Sequence, residues 1–379
     1  MPHPLVVPTI VFLLVFSSII GPAAAAPQVR HGRKPAGGVL TVKTDTSTNA
    51  AVTLDGAGAN SIEPFFEPVF YDYHAKNPKT TINYNPAGSS VGVSDIQQET
   101  VDFGDSEIPM NDLQLAQARD PSVLQVPVDL GGVAVSVNIP GLKKRLDLDG
   151  PTLADIFDGT ITNWDSPQIA KVTGISNLPN LPIVPVHRAD ASGPSYDLDD
   201  YLFKTAPTWN ATLKTTTPSR SWPLTRIGVG EQLNSGVATY IKQTPGAIGY
   251  LEYAYALEAG FTCAAIKNRA GDFVTPSEQS IAAAGAHNDR LTAFNASIVY
   301  EPGATTYPIA NFSWALILRR QTDAASGIAL GKLFFYVVNQ GQKLAGKLGY
   351  APLPPNITKI AIRTLERLEG PSGAPLFSS

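Results

Sequence analysis

Arg188 and Asp190, separated by one alanine, set a carboxylate where it can brace a guanidinium, an arrangement fit for bidentate capture of an oxyanion. The chain continues Ala191-Ser192-Gly193-Pro194-Ser195, where small residues and hydroxyls lead into a helical pattern. Two other stretches are built alike: Asp55-Gly56-Ala57-Gly58-Ala59-Asn60-Ser61 and Ala87-Gly88-Ser89-Ser90-Val91-Gly92. Each follows an expected strand end and precedes an expected helix, whose first N–H groups are unpaired and carry a partial positive charge. Small residues let an anion approach that backbone closely, and hydroxyls add donors. Taken singly, such a loop is also an ordinary cap or turn, and Arg188–Asp190 an ordinary surface ion pair. Three loops, one carrying an arginine, point to anion capture.

Val101-Asp102-Phe103-Gly104-Asp105-Ser106-Glu107 adds carboxylates around a serine; its plain reading is a polar strand end. A carboxylate repels a bare oxyanion but accepts a hydrogen bond from one that carries a proton. At neutral pH that favours phosphate over sulfate. Phe103-Gly104-Asp105-Ser106 also resembles the nucleophile block of GDS-type esterases, which need a late Asp-x-x-His to activate the serine. No histidine here has an aspartate three residues before it, so a hydrolase using Ser106 lacks its base. Gly56-Ala57-Gly58 is half of a dinucleotide fingerprint without its third glycine in place. Gly228-Val229-Gly230 with Asn234-Ser235-Gly236 reads as a loop and a helix cap, structural in role.

The elements that must position these groups alternate β-rich runs with helical patterns, which argues for an α/β fold. Short strands are expected at 39–42, 51–54, 81–84 and 181–186, and a buried β-branched strand at 132–138. Aromatic and aliphatic residues at helical spacing mark 62–74 as a helix, and 326–344 is helical until Pro352 and Pro354. No repeat of fixed period is visible.

The 379 residues carry 28 Lys and Arg against 32 Asp and Glu, a formal charge of −4 that gives no basic field for nucleic acid. With 43% apolar residues, the chain can bury one or two substantial cores. Cys263 is the only cysteine, so no internal disulfide or cysteine-rich metal site is expected; it reads as a buried small residue rather than a reactive thiol. The five histidines are scattered and form no HExxH, and no metal is expected. Leu5 to Ile20 is an apolar run followed by small residues, read as a signal peptide over 1–26 with cleavage near Ala25 or Ala26. No cysteine follows that run, so a lipoprotein anchor is not expected. A basic linker at 27–39 and a tail at 369–379 flank the body, and glycosylation sequons begin at Asn210, Asn295, Asn311 and Asn356.

In order, the motifs LDGAGAN (54–60), AGSSVGV (87–93), VDFGDSEIPM (101–110), LGGVAVSVNIPGL (130–142), LADIFDGTITNWD (153–165), VHRADASGPSY (186–196), TPGAIGYLEYAYA (244–256), YPI (307–309) and LGYAPLP (348–354) resemble the phosphate-binding proteins of ABC transporters, the Pst-type substrate-binding family. The resemblance covers roughly residues 50–360. It implies a two-lobed α/β periplasmic-binding-protein fold, type II, of the Venus-flytrap kind. Lobe one would be 40–130 plus 262–368 and lobe two 131–261, joined by two hinge strands. It implies a monomer, exported to periplasm or extracellular space, that binds inorganic phosphate for an ABC permease or for scavenging. No catalytic residue and no cofactor are implied.

Carried over by position, the resemblance places phosphate against Asn60, Ser61, Ser89, Glu107, Arg188, Ser192 and Gly193, with Asp190 and Ser195 in support. Glu107 stands where the family has its proton-accepting aspartate. Asn60-Ser61 replaces a Thr-Phe pair, and Pro194 replaces a threonine, supplying neither N–H nor hydroxyl. Those departures keep open a second reading: the same fold turned to another oxyanion, a phosphate ester, or a secreted interaction role.

Overall fold

The computed structural model describes residues 40–43, 50–215, 217–286 and 297–378. The expected signal segment, nearly all of the linker and the Asn295 sequon lie outside them.

Eight strands form the main sheet: β1 (Val52–Gly58), β2 (Thr80–Asn85), β3 (Phe103–Ser106), β4 (Val123–Val137), β5 (Val184–Arg188), β6 (Val229–Glu231), β7 (Ala247–Glu252) and β8 (Ala310–Leu318). Their spatial order is β2-β1-β3-β8-β4-β7-β5-β6. β1 runs parallel to β2 and β3, and β5 runs parallel to β6 and β7, so two parallel groups flank an antiparallel centre. The strand expected at 132–138 is the second half of the much longer β4. Residues 123–132 of β4 pair with β8, and 133–137 pair with β7. Pro127 sits inside β4, opposite Trp314, where the register shifts between Ser313 and Trp314. A proline cannot donate to the ladder, and a bulge is one of the few sheet positions that accepts it.

Helix α1 (Glu63–Lys76) buries Phe65, Phe66, Val69, Phe70 and Tyr73, the three-and-four spacing of a one-sided apolar stripe. Phe66 stacks on Phe70 at 4.5 Å and meets Phe103 and Phe334 edge-on, which fixes α1 against β3 and the helix at Ala324–Val337. The helix expected over 326–344 ends at Val337 and continues as two short 3-10 turns. Pro371 to Ser378, expected as a tail, returns along the start of the body: Phe377–Ser378 pairs antiparallel with Thr41–Val42.

Candidate functional site

In an α/β sheet, ligands collect beyond the carboxyl ends of parallel strands, where helix N-termini converge. The sequence-derived residues stand there. Asn60 and Ser61 follow β1, Ser89 opens α2 (Ser89–Gln98) after β2, Glu107 immediately follows β3, and Arg188 ends β5. Ser192 caps α3 (Gly193–Thr205). All are buried.

Arg188 is 2% exposed. Its Nε donates to Asp190 Oδ1 at 2.7 Å and its Nη2 to Asp190 Oδ2, the expected fork. The third guanidinium nitrogen, Nη1, has no partner. Asp190 Oδ1 also accepts from the Leu233 amide at 3.0 Å. Burial pushes the Asp190 carboxyl up, but the Arg188 bonds and charge outweigh it and hold the group below its ordinary range. Arg188 therefore presents one buried N–H edge from a rigid, charge-balanced mount.

Ser192 Oγ accepts from the Ser195 amide at 3.3 Å, the capping bond of α3. Ser192 Oγ donates to Ser195 Oγ at 3.0 Å, Ser195 Oγ and Tyr250 Oη share a hydrogen bond at 2.8 Å, and Tyr250 Oη accepts from the Arg188 amide at 3.1 Å. Ser195 thus positions Ser192 rather than replacing the donor absent at Pro194. Proline is tolerated there because first-turn N–H groups have no intrahelical acceptor.

Glu107 lies between the two parallel groups. Its amide reaches Ser89 Oγ at 3.5 Å, Asn311 Nδ2 reaches its Oε1 at 3.5 Å, and its carboxyl also bonds Ser61 and Glu252. A Cβ at Gly193 would fall 2.3 Å from Glu107 Oε2, so only glycine fits that first helical position. Gly88, at φ +107°, likewise brings α2 close: a Cβ there would lie 3.2 Å from Asp190 Oδ2. Burial lifts the Glu107 carboxyl to about 7, partly offset by the Ser61 bond and the Arg188 charge.

Asn60 commits its carboxamide: Nδ2 donates to Tyr255 Oη at 3.0 Å, and Oδ1 accepts from Asn234 Nδ2 at 3.0 Å. Asn234 Nδ2 also reaches Ser61 Oγ at 3.1 Å, and Asn234 Oδ1 accepts from the Glu252 amide at 3.0 Å. Asn234, in the first turn of α4 (Leu233–Gln243), was expected to be a structural cap; instead Gln232 holds the cap position, and Asn234 ties the first loop to β7.

Sequence reasoning placed none of Glu252, Asp129, Asp197 and Asn311 in the site, Asn311 being read only as a glycosylation sequon; all four are buried around Glu107. Glu252 Oε1 accepts from the Gly132 amide at 2.9 Å, and burial with the Glu107 charge drives its carboxyl well above the usual range. Burial raises Asp129 to about 8. Asp197 Oδ2 accepts from Asn311 Nδ2 at 2.8 Å, so the Asn311 sequon is committed inside the fold. A charged residue inside the apolar run GYLEYAYA was the available signal for Glu252.

Ser106, the esterase candidate, donates to the Ile108 carbonyl at 2.6 Å and closes its own turn. Cys263 is partly buried, and burial raises its thiol to about 11. Among the described residues no group of His, Cys, Asp and Glu could hold a metal, and no helix is long and apolar enough to cross a membrane.

Residues 43–338 match the family model of the PBP superfamily domain. A phosphate-binding protein PstS of Xylella fastidiosa (strain 9a5c) is 37% identical over 325 residues, covering 85% of this chain and 87% of its own. One of Pasteurella multocida is 34% identical over 342 residues, covering 89% and 97%. The crystal structure of a phosphate-binding protein from Stenotrophomonas maltophilia superposes with a TM-score of 0.62 at 16% identity, covering 83% of this chain and 94% of that one. That likeness shows the fold, the two-lobed α/β architecture of periplasmic binding proteins. With this architecture, this coverage and this identity, the chain belongs to the PBP superfamily and, within it, to the PstS family of phosphate-binding proteins.

Proposed function

We propose that the protein is an exported solute-binding protein that captures inorganic phosphate between its lobes and passes it to an ABC permease or retains it outside the cell. It does so as a monomer without catalysis, in periplasm or extracellular space. The lobes are residues 40–130 with 262–368, and 131–261, so the chain crosses between them within β4 and again near residue 262. The observation that carries this reading is the buried, unpartnered Nη1 of Arg188, held by Asp190 beside the N-terminus of α3. The names of its relatives support the same ligand.

In this reading Arg188 Nη1, Ser89, Ser61 and the Gly193 amide donate to the phosphate oxygens, while Ser192, with its hydroxyl on Ser195 and its amide on Arg220, holds the loop against them. Glu107, ionised above about pH 7, accepts from the one oxygen that keeps its proton. Sulfate has no proton to give and meets a carboxylate instead, the source of discrimination. Pro194, which cannot donate, favours a second reading in which another oxyanion or a phosphate ester is the ligand. Calorimetric titration of phosphate into anion-stripped protein, repeated in excess sulfate, separates them. Micromolar or tighter binding that survives sulfate is expected; binding that is absent or yields to sulfate refutes the phosphate reading.

A further inference from the structure

A cavity of about 530 Å³ adjoins the site, with Glu107 and Asn311 on the near side and Tyr196, Arg220, Phe312 and Trp314 beyond. Small-molecule sites run from about 300 to 1,000 Å³, and a water occupies only about 30 Å³ of liquid, so this space far exceeds what one phosphate fills.

Arg220 belongs to both regions. Its carbonyl accepts from the Ser192 amide at 3.0 Å, and its Nη2 donates to the carbonyls of Ile108 at 3.0 Å and Pro109 at 3.4 Å, directly after Glu107. It makes none of the ion pairs found among the described residues. The carboxylates lining the cavity are Glu107 and Asp197. Burial and the Glu107 charge push the Asp197 carboxyl well above its ordinary range, and neither carboxylate makes an ion pair with Arg220, whose guanidinium bonds only backbone carbonyls. Burial disfavours the Arg220 cation too, yet a guanidinium does not lose its proton in proteins. A mostly buried cation in an amphipathic cavity calls for an anionic group at the end of a short carbon skeleton, with Phe312, Trp314 and Ile298 as the apolar wall.

We propose that the cleft also accepts a phosphoryl compound with a second anionic group, its phosphoryl end at Arg188 and its other end at Arg220. This rests on the phosphate reading for the phosphoryl end only. The test titrates inorganic phosphate, glycerol 3-phosphate and 3-phosphoglycerate into the wild type, Arg220→Met and Ser221→Trp. One charge-assisted contact predicts that the wild type holds 3-phosphoglycerate at least about tenfold tighter than glycerol 3-phosphate, and that Arg220→Met erases the preference. Ser221 is exposed on the cavity rim, and a tryptophan there should weaken 3-phosphoglycerate about tenfold while phosphate stays within about threefold. If Arg220→Met does not fold, Ser221→Trp carries the comparison. Tight phosphate binding with no 3-phosphoglycerate binding, or a preference that survives both substitutions, overturns this inference and leaves the phosphate reading intact. Binding of 3-phosphoglycerate without phosphate does the reverse, and binding of neither removes both.

Discussion

Replacing Glu107 by Gln should change how stability depends on pH, and the sign follows from burial. In the folded chain the Glu107 carboxyl titrates at about 7, against an ordinary value of 4.5. Between those values the folded state binds the proton and the unfolded state has lost it, so stability falls as pH rises. The contribution is fully present below the unfolded value, near pH 4.5, and gone above about pH 7. At 1.36 kcal/mol per pH unit of separation the loss is about 3 kcal/mol. Spread over the body at residues 37–379, where unfolding entropy is roughly 0.7 kcal/mol per kelvin, that corresponds to about 5 °C in Tm. Asp129, raised to about 8, adds to the wild-type decline in the same direction. Glutamine cannot ionise, so Glu107→Gln removes its own share. Differential scanning calorimetry of anion-stripped protein at pH 5 and pH 8 reads this directly. The two proteins should lie close together at pH 5, with the variant about 5 °C more stable at pH 8. A wild-type Tm that is flat or rises between those values, or a variant that falls in parallel with it, refutes the idea that Glu107 is ionised at a cost inside the fold.

Four other outcomes follow from the same geometry. Arg188→Ala removes the Nη1 donor, whose two N–H groups make one or two charge-assisted bonds of ~1.5–3 kcal/mol each, so phosphate affinity by calorimetry should fall by a factor of roughly 10–10⁴. Undiminished affinity would remove Arg188 from the site. Glu107→Gln should narrow the phosphate-over-sulfate preference at pH 8, and unchanged selectivity in competition titrations would deny Glu107 the proton-accepting role. Gly193→Ala places a methyl 2.3 Å from Glu107 Oε2 and should abolish tight phosphate binding; a bound-state crystal structure with Glu107 unmoved would contradict the packing argument. Asn234→Ala frees Asn60 and Ser61 and should lower Tm by a few degrees, about 1–3 kcal/mol for stranded buried partners, with an unchanged melt arguing that the tie is dispensable.

What the sequence could reveal divides along physical lines. Local chemistry was legible: the fork at Arg188–Asp190, the glycine-serine turns, and the apolar spacing of α1 each depend on residues a few positions apart. The long-range ties were not. Asn234 reads as a cap because its neighbours are Gly and Ser, and only the fold brings it to Asn60, 174 residues away. Glu252 and Asp129 come together around Glu107 because β4 crosses the centre of the sheet, and a strand that changes partner midway carries no periodic signature of doing so. Ser195 could be placed near the site from its spacing, but its commitment to Tyr250 depends on β7 lying beside β5.

The antiparallel pairing of Thr41–Val42 with Phe377–Ser378 has an engineering consequence. Since the two ends of the body lie hydrogen-bonded side by side, a short peptide could splice them into a ring and new ends could be opened elsewhere. Exposed Gly141, with nothing within 4 Å of where a Cβ would stand, is a natural place to cut. The same adjacency means that fluorophores fused at the original ends would report little of a motion between lobes. A reporter of ligand capture belongs at the permuted ends, inserted into the lobe that moves.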